Sequence, residues 1–291
     1  MVGRERGGAL TVTAALPRRR ARRIPLVIVA TALSVGLVVL TIAVALTLGP
    51  ANVSLVNVRD VITNHLGLTD IPVRVAADAI VWQERLPRAL VAAACGAGLG
   101  LCGVILQSLL RNPLADPFVL GVSSGASTGA VLFGVFGIGG GVLTLSGGAF
   151  LGALVAFGLV LAISRFTGGG TASFILAGIA ATQFFSALTS LAVFAFADSD
   201  ETRGVMFWLL GSLEGVRWDD VVLCAAVVLV GAVVAFASVR PLDAFAFGDD
   251  VAASLGIHVA RTRMLLLVLT ALIAATLVSV AGAIGFVGLV L

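Results

Sequence analysis

Charged residues are scarce in this sequence. They make up 11 % of its 291 residues, and all 18 basic side chains are arginine, with no lysine. Soluble domains carry about 25 % charged residues, so this chain cannot cover a surface that faces water on all sides. Hydrophobic residues account for 59 % of the chain, and its mean hydropathy is +1.15. The composition therefore indicates an integral membrane protein.

Ionisable residues are absent from the long apolar runs. Seven runs of about 20 residues, the length that crosses the hydrocarbon core, lie near 25–49, 89–110, 118–137, 142–163, 171–197, 221–239 and 264–283. None of them contains Asp, Glu, Arg or His. Pumps and ion-coupled carriers place such groups inside the membrane, so their absence argues against that class. An ion-coupled secondary carrier remains the alternative, because carbonyl and hydroxyl oxygens alone can bind sodium.

Signatures of membrane strands, nucleotide binding and metal binding are also missing. No run alternates apolar and polar residues, so we predict an all-α, polytopic transmembrane bundle. The chain has no Gly-x-x-x-x-Gly-Lys-Ser/Thr loop, which indicates that it is not an enzyme and that ATP hydrolysis occurs on a separate subunit. Cys95, Cys102 and Cys224 lie in apolar runs without metal or disulfide spacing. We therefore expect no metal and no cofactor.

The distribution of arginine predicts the orientation of the chain. If the N-terminus is cytoplasmic, the inner segments hold 12 arginines against 5 acids and the outer segments hold 6 against 10. Cytoplasmic segments are enriched in arginine, so we predict a cytoplasmic N-terminus. The segments 50–88 and 198–220 then face outward and form an external surface.

Small residues recur at helical spacing in the third run. Gly121, Gly125 and Gly129 lie four residues apart, which places them on one helix face. Such a face allows two helix backbones to approach closely in a membrane. We expect tight packing of this helix against a neighbour.

The segment RNPLADP at 111–117 interrupts the apolar pattern. Pro113 and Pro117 lack an N–H group and restrict the residues before them, so they predict a sharp turn between the second and third runs. Asn112 and Asp116 can accept hydrogen bonds from backbone groups that the turn leaves free, and Asp116 is placed to cap the third helix.

Three stretches carry a family resemblance. They are WQERLPRALVAAACGAGLGLCGVILQSLLRNPLADPFVLGVSSGAS at 82–127, FWLLGSLEGVRW at 207–218, and RPLDAFAFGDDVAASLGIHVARTRM at 240–264 followed by VAGAIGFVGLV at 280–290. In this order and spacing they resemble the FecCD family, the permease subunits of ABC importers for iron chelates, haem and cobalamin. The resemblance runs from about Pro25 to Leu291. It implies a multi-pass protein of the bacterial inner membrane with a ten-span fold, of which about seven and a half spans are present, as in a C-terminally truncated chain.

The resemblance also implies partners and site residues. The family permease forms a homo- or heterodimer in the membrane lipid, with cytoplasmic ATPase subunits below and an extracytoplasmic solute-binding protein above; no nucleic acid is involved. The implied residues fall into three groups: Arg85 and Arg88 for docking of the binding protein; Gln107, Asn112, Pro113, Ser123 and Ser124 for the translocation pathway; and Gly248, Asp249, Asp250, Leu255 and Gly256 for coupling to the ATPase.

The resemblance divides the chain into a cytoplasmic Arg-rich tail at 1–24 and a permease domain at 25–291, with 240–263 as the coupling segment. In that segment we expect two short helices separated near Gly256, with Phe245, Phe247, Val251 and Leu255 on one apolar side. A helix of this kind can lie in a groove of a partner protein.

The solute is the least constrained feature. Most members of the family carry ferric siderophores, so the resemblance favours a ferric siderophore as the imported solute. Haem, cobalamin or another metal chelate is the alternative within the same class.

Overall fold

The computed structural model describes residues 19–137, 143–168 and 170–285, so most of the predicted tail at 1–24 and the predicted half-span that starts near Phe286 lie outside the described residues. Helices account for the regular structure of the described part. They are α1 (Arg19–Thr47), α2 (Leu55–His65), α3 (Val75–Asp78), α4 (Leu86–Leu110), α5 (Val122–Val135), α6 (Leu143–Phe166), α7 (Thr171–Phe196), α8 (Ser199–Leu209), α9 (Trp218–Ala237), α10 (Val239–Phe247), α11 (Asp249–Ser254) and α12 (Val259–Ala281). The predicted all-α class is confirmed.

The chain divides into two units, residues 1–44 and residues 45–291. The first contains most of α1, an apolar helix that is long enough to cross a membrane from Pro25 to Thr47. The second contains all the other helices and the candidate functional residues. Five of its described helical stretches are long and apolar enough to span: Val75–Leu110, Leu145–Phe166, Thr171–Phe196, Trp218–Ala237 and Val259–Ala281.

The third predicted span is shorter than expected. A 3₁₀ turn (Pro117–Leu120) overlaps the start of the predicted span 118–137 and is followed by Gly121 with a φ of 76°, and α5 has only 14 residues. At a rise of about 1.5 Å per residue, α5 extends about 21 Å, which is less than the roughly 30 Å hydrocarbon core. The apolar run therefore contains a turn and a short helix.

The second predicted span is longer than expected. Helix continues without interruption from Val75 to Leu110 over 36 residues, and a π-helical segment (Ala79–Arg85) joins α3 to α4. Pro87 stands at the second position of α4 and cannot donate to the carbonyl four residues earlier. The π segment ends two residues before this proline, as expected if the wider turn accommodates the missing hydrogen bond.

The bundle has two distinct ends, because α4 separates Arg85 from Asn112. The Trp82 end contains Trp82 and Trp218, since the indole N–H of Trp218 donates to the Trp82 carbonyl at 3.0 Å. The Asn112 end contains the 111–117 turn and the α10–α11 segment, which packs on α4. α12 returns to the Trp82 end, where the Ala281 carbonyl accepts from the N–H of Ser212 at 3.0 Å.

The core lies where α5, α6, α7, α4 and α12 meet. Its α5–α6 contact is made by small residues: a Cβ built at Gly129 would lie 2.0 Å from the carbonyl oxygen of Gly148, and one at Gly152 would lie 2.2 Å from that of Gly125. The two backbones therefore touch, which confirms the predicted close approach along the Gly125 and Gly129 face.

A buried hydroxyl pair joins α5 to α7. The Thr128 hydroxyl donates to the Phe185 carbonyl at 2.8 Å and lies 2.7 Å from the Thr189 hydroxyl. Both threonines are buried. Each hydroxyl therefore has a partner in a region that excludes water.

Candidate functional site

The two arginines predicted for docking lie at the Trp82 end, in different settings. The half-buried guanidinium of Arg85 donates to the carbonyls of Leu46 and Ala51 at 2.8 Å and 2.6 Å. Leu46 is in the last turn of α1, where carbonyls have no intrahelical partner. The exposed Arg88 makes one hydrogen bond to a described residue, from Nε to the Leu213 carbonyl at 3.2 Å. Of the two, Arg88 is the one whose side chain is available to a partner.

The Trp82 end also contains an aromatic stack that the sequence does not predict. The rings of His65 and Trp82 stack at 4.0 Å with an interplanar angle of 17°, and the Trp82 and Trp218 rings lie 4.8 Å apart. His65 Nδ1 also lies 3.1 Å from the Val61 carbonyl and 3.5 Å from Asp78 Oδ1. The stack fixes α2 to the start of α9.

A polar cleft opens beside the stack. Its volume is about 840 Å³, and its lining includes five charged residues: Glu84, Arg88, Glu214, Arg217 and Asp219. Arg217 also precedes α9, and its backbone N–H donates to Asp220 Oδ2 at 2.9 Å. The Trp82 end thus presents a rigid surface with charges of both signs.

The 111–117 turn has the predicted hydrogen bonds. Asn112 Oδ1 accepts from the N–H of Leu114 at 2.9 Å, and Asp116 Oδ1 accepts from the N–H of Phe118 at 2.8 Å. Asp116 is only 3 % exposed. It caps the 3₁₀ turn rather than α5, because Gly121 separates that turn from the helix. The expectation that it caps the third helix is wrong in this detail.

The residues predicted for the pathway all lie within positions 107–124. Gln107 is in the last turn of α4, and its carbonyl accepts from the N–H of Asn112 at 3.3 Å. Pro113 is exposed in the turn, Ser123 is buried and Ser124 is half-buried in the first turn of α5. Their part in a translocation pathway remains a prediction.

The coupling segment forms two short helices, but the break is at Gly248. Its φ of 116° and ψ of 165° separate α10 from α11, and this φ favours glycine. The prediction that Gly256 divides the two short helices is wrong in position: Gly256, with a φ of 80°, lies in the next break, between the end of α11 and the start of α12. Asp249 and Asp250 stand in the first turn of α11, where acids are favourable.

Phe245 does not share the exposed apolar side of this segment. It is 1 % exposed and packs into the core, whereas Phe247 and Leu255 are 78 % and 68 % exposed. Val251 is also exposed. The predicted apolar side therefore consists of Phe247, Val251 and Leu255, which we call the α10–α11 apolar face.

Two arginines of the bundle contact the α10–α11 segment. Arg263 of α12 donates to Asp249 Oδ1 at 2.6 Å and lies 5.6 Å from the ring centre of Phe245. Arg111 lies against Gly248, since a Cβ built there would be 3.4 Å from Arg111 Nη1. Arg111 is also the one described non-glycine residue with positive φ, at 49°, and ends α4. The segment is therefore linked both to the 111–117 turn and to α12.

No group of three or more His, Cys, Asp or Glu side chains that could hold a metal ion occurs among the described residues. Together, the apolar helices, the polar surfaces at both ends and the anchored α10–α11 segment define a multi-pass helical membrane protein.

The family follows from comparison with known proteins. The FecCD transport family matches residues 37–291, and the chain belongs to this family. It is similar to the cobalamin import system permease protein BtuC of Halobacterium salinarum, with 42 % identity over 219 residues, which cover 74 % of this chain and 58 % of that protein.

Two further comparisons agree with this assignment. The chain is 34 % identical over 215 residues to the hemin transport system permease protein HmuU of Yersinia pestis, covering 72 % of this chain and 64 % of that protein. A solved structure described as an inward-facing conformation of a metal-chelate type ABC transporter superposes with a TM-score of 0.76 at 28 % identity, covering 91 % of this chain and 79 % of the other. The chain spans about three fifths of the length of these two curated relatives.

Proposed function

We propose that this chain is the membrane-spanning permease subunit of an ATP-driven importer for a metal chelate. Its membership of the FecCD transport family over residues 37–291 carries the proposal. The chain lacks a phosphate-binding loop, so separate ATPase subunits supply the energy. The family resemblance implies the bacterial inner membrane, and the arginine distribution favours an orientation with the N-terminus and the Asn112 end in the cytoplasm.

In this proposal the ATPase binds the α10–α11 apolar face. Phe247, Val251 and Leu255 point to solvent on a segment whose other side is held by Phe245 and by the Asp249–Arg263 ion pair. A short helix that is anchored on one side and apolar on the other can occupy a groove of a partner. Movement of the ATPase reaches the spanning helices through Arg263 and Arg111.

The solute-binding protein docks at the Trp82 end. The stack of His65, Trp82 and Trp218 provides a rigid platform, and the exposed Arg88 beside the polar cleft can pair with a carboxylate. The solute then passes between two permease copies, along a path that includes Gln107, Asn112, Pro113, Ser123 and Ser124.

Alanine substitutions of Arg85 and Arg88 distinguish a residue that stabilises the Trp82 end from a residue that binds the solute-binding protein. Arg85→Ala removes two charged hydrogen bonds to backbone carbonyls and is expected to lower the free energy of unfolding by about 2 kcal/mol. Arg88→Ala is expected to change it by about 0.5 kcal/mol or less but to slow association of the binding protein. Thermal unfolding and surface plasmon resonance measure the two effects. Unchanged association kinetics for Arg88→Ala would remove Arg88 from the docking surface.

Two solutes are candidates. The family resemblance favours a ferric siderophore, whereas cobalamin is the solute named for the relative with 42 % identity. We expect a strain deleted for the gene to lose uptake of one radiolabelled chelate and to keep the others, with the wild-type gene restoring it. Loss of ferric siderophore uptake supports the first candidate and loss of cobalamin uptake the second. Normal uptake of siderophore, cobalamin and haem would contradict both.

A further inference from the structure

We propose that a groove at the Asn112 end binds the phosphate headgroup of an anionic phospholipid. The groove lies where the ends of four helices converge: the last turns of α4 and α6 and the first turns of α7 and α12. Its volume is about 420 Å³. The assignment of this end to the cytoplasmic leaflet rests on the proposed function, whereas the groove itself does not.

Positive charge lines the mouth of the groove. Arg165 is exposed in the last turn of α6 and forms no salt bridge with any described residue. Arg263, from α12, is paired with Asp249. The lining holds two arginines and no acidic residue, and Asp249 neutralises only one of the arginines. The groove therefore keeps an unbalanced positive charge that complements a phosphate group.

The backbone at the groove also carries partial positive charge, because two helices begin there. The N-terminal residues Gly170 and Thr171 of α7 line it, as do Val259 and Ala260 of α12. Neither helix has a side-chain cap at this end, because Gly170 has no side chain and His258 makes no capping hydrogen bond. Uncapped N–H groups and the positive helix dipole add to the attraction that the arginines exert on an anion.

The deeper walls of the groove are apolar. They are formed by Leu109, Leu161, Phe174 and Leu267, and each of these side chains belongs to a helix that is long and apolar enough to span. A free phosphate ion makes no use of such walls, but the upper part of an acyl chain does. Basic pockets between spanning helices on the cytoplasmic side are typical binding places for anionic lipid headgroups.

Binding of fluorescent phosphatidylglycerol to the purified, detergent-solubilised chain tests the proposal. We expect unlabelled phosphatidylglycerol to compete, and phosphatidylcholine and inorganic phosphate not to compete. Arg165→Gln is expected to weaken binding about fivefold to tenfold. Arg240→Gln is the matched control, because Arg240 is exposed on α10 outside the groove, and we expect it to bind like the wild type.

Three results would overturn the proposed lipid site. Equal loss in both variants means that the lipid responds to the general charge of this end, and the proposal fails. Full competition by inorganic phosphate means an anion site without a lipid chain, which also overturns it. Unchanged lipid binding in Arg165→Gln, together with weaker co-purification of the ATPase, makes the groove a protein contact instead. Because the assay needs no transport, its failure leaves the proposed function untouched.

Discussion

Gly129→Ala is expected to disrupt the bundle, although it adds a single methyl group. The new Cβ would lie 2.0 Å from the Gly148 carbonyl oxygen and 2.9 Å from the Gly152 Cα, where ordinary contacts begin at 3.4 Å. Both neighbours are backbone atoms, so no side chain can rotate away, and α5 and α6 must separate. Overpacking of a core costs about 1–3 kcal/mol and occasionally more. We expect a loss of about 3 kcal/mol, which lowers the Tm by roughly 10 °C.

Gly147→Ala is the control for this substitution. Gly147 and Gly148 are neighbours on α6, but a Cβ at Gly147 meets nothing within 4 Å. Thermal unfolding followed by size-exclusion chromatography in detergent compares the variants with the wild type. Gly147→Ala is expected to unfold at the wild-type temperature or slightly above it, since alanine favours helix. Similar unfolding temperatures for Gly129→Ala and Gly147→Ala would show that α5 and α6 are not in backbone contact.

Leu255→Glu is expected to abolish ATP-driven uptake while leaving the bundle folded. Leu255 is 68 % exposed on the α10–α11 apolar face, so the substitution removes no core contact. In the proposed complex the carboxylate would be buried in an apolar groove of the ATPase, and burial of an unpaired charge is strongly unfavourable. We expect at least a tenfold loss of co-purified ATPase and a matching loss of solute uptake.

Leu68→Glu serves as the matched control for charge and exposure. Leu68 is 71 % exposed and follows α2 at the Trp82 end, so the same change is made far from the proposed ATPase contact. We expect Leu68→Glu to retain the ATPase on affinity purification. If Leu255→Glu also retains it and transports normally, the α10–α11 apolar face is not the coupling surface.

The sequence predicts the features that depend on local chemistry. Pro113 and Pro117 specify the turn whatever surrounds them, and Asn112 and Asp116 accept from N–H groups two residues away. The apolar runs predict most of the spanning helices because burial in lipid requires apolar side chains. Glycine spacing predicts the close approach of α5 because only the absence of Cβ permits it.

Other features depend on contacts that the local pattern does not contain. The apolar pattern begins near residue 89, but the helix begins at Val75. Apolarity predicts where a chain can enter lipid, whereas a helix can also contain polar residues such as Asp78 and Glu84, so the apolar pattern does not predict where this helix begins. Phe245 and Phe247 are two residues apart, so on α10 they point in nearly opposite directions. Only the packing of α10 on α4 decides which of them is buried.

The aromatic stack is a contact between distant segments that the sequence does not predict. His65, Trp82 and Trp218 lie on three different helical segments, and 136 residues separate the two tryptophans. A single sequence offers one signal for such a contact, which is that Trp218 begins an apolar run as an interfacial residue would. That signal identifies a membrane-interface tryptophan and says nothing of its partners.

Measuring which energy source drives uptake is the most direct test of the claim that this chain is the permease subunit of an ATP-driven importer. The permease, its ATPase and its binding protein are reconstituted in proteoliposomes, and uptake of the radiolabelled chelate identified in the deletion strain is measured. We predict uptake that requires ATP and the binding protein, persists with an uncoupler and stops when the ATPase is omitted. Uptake by this chain without ATP, driven by a proton or sodium gradient, would contradict the account and identify an ion-coupled carrier.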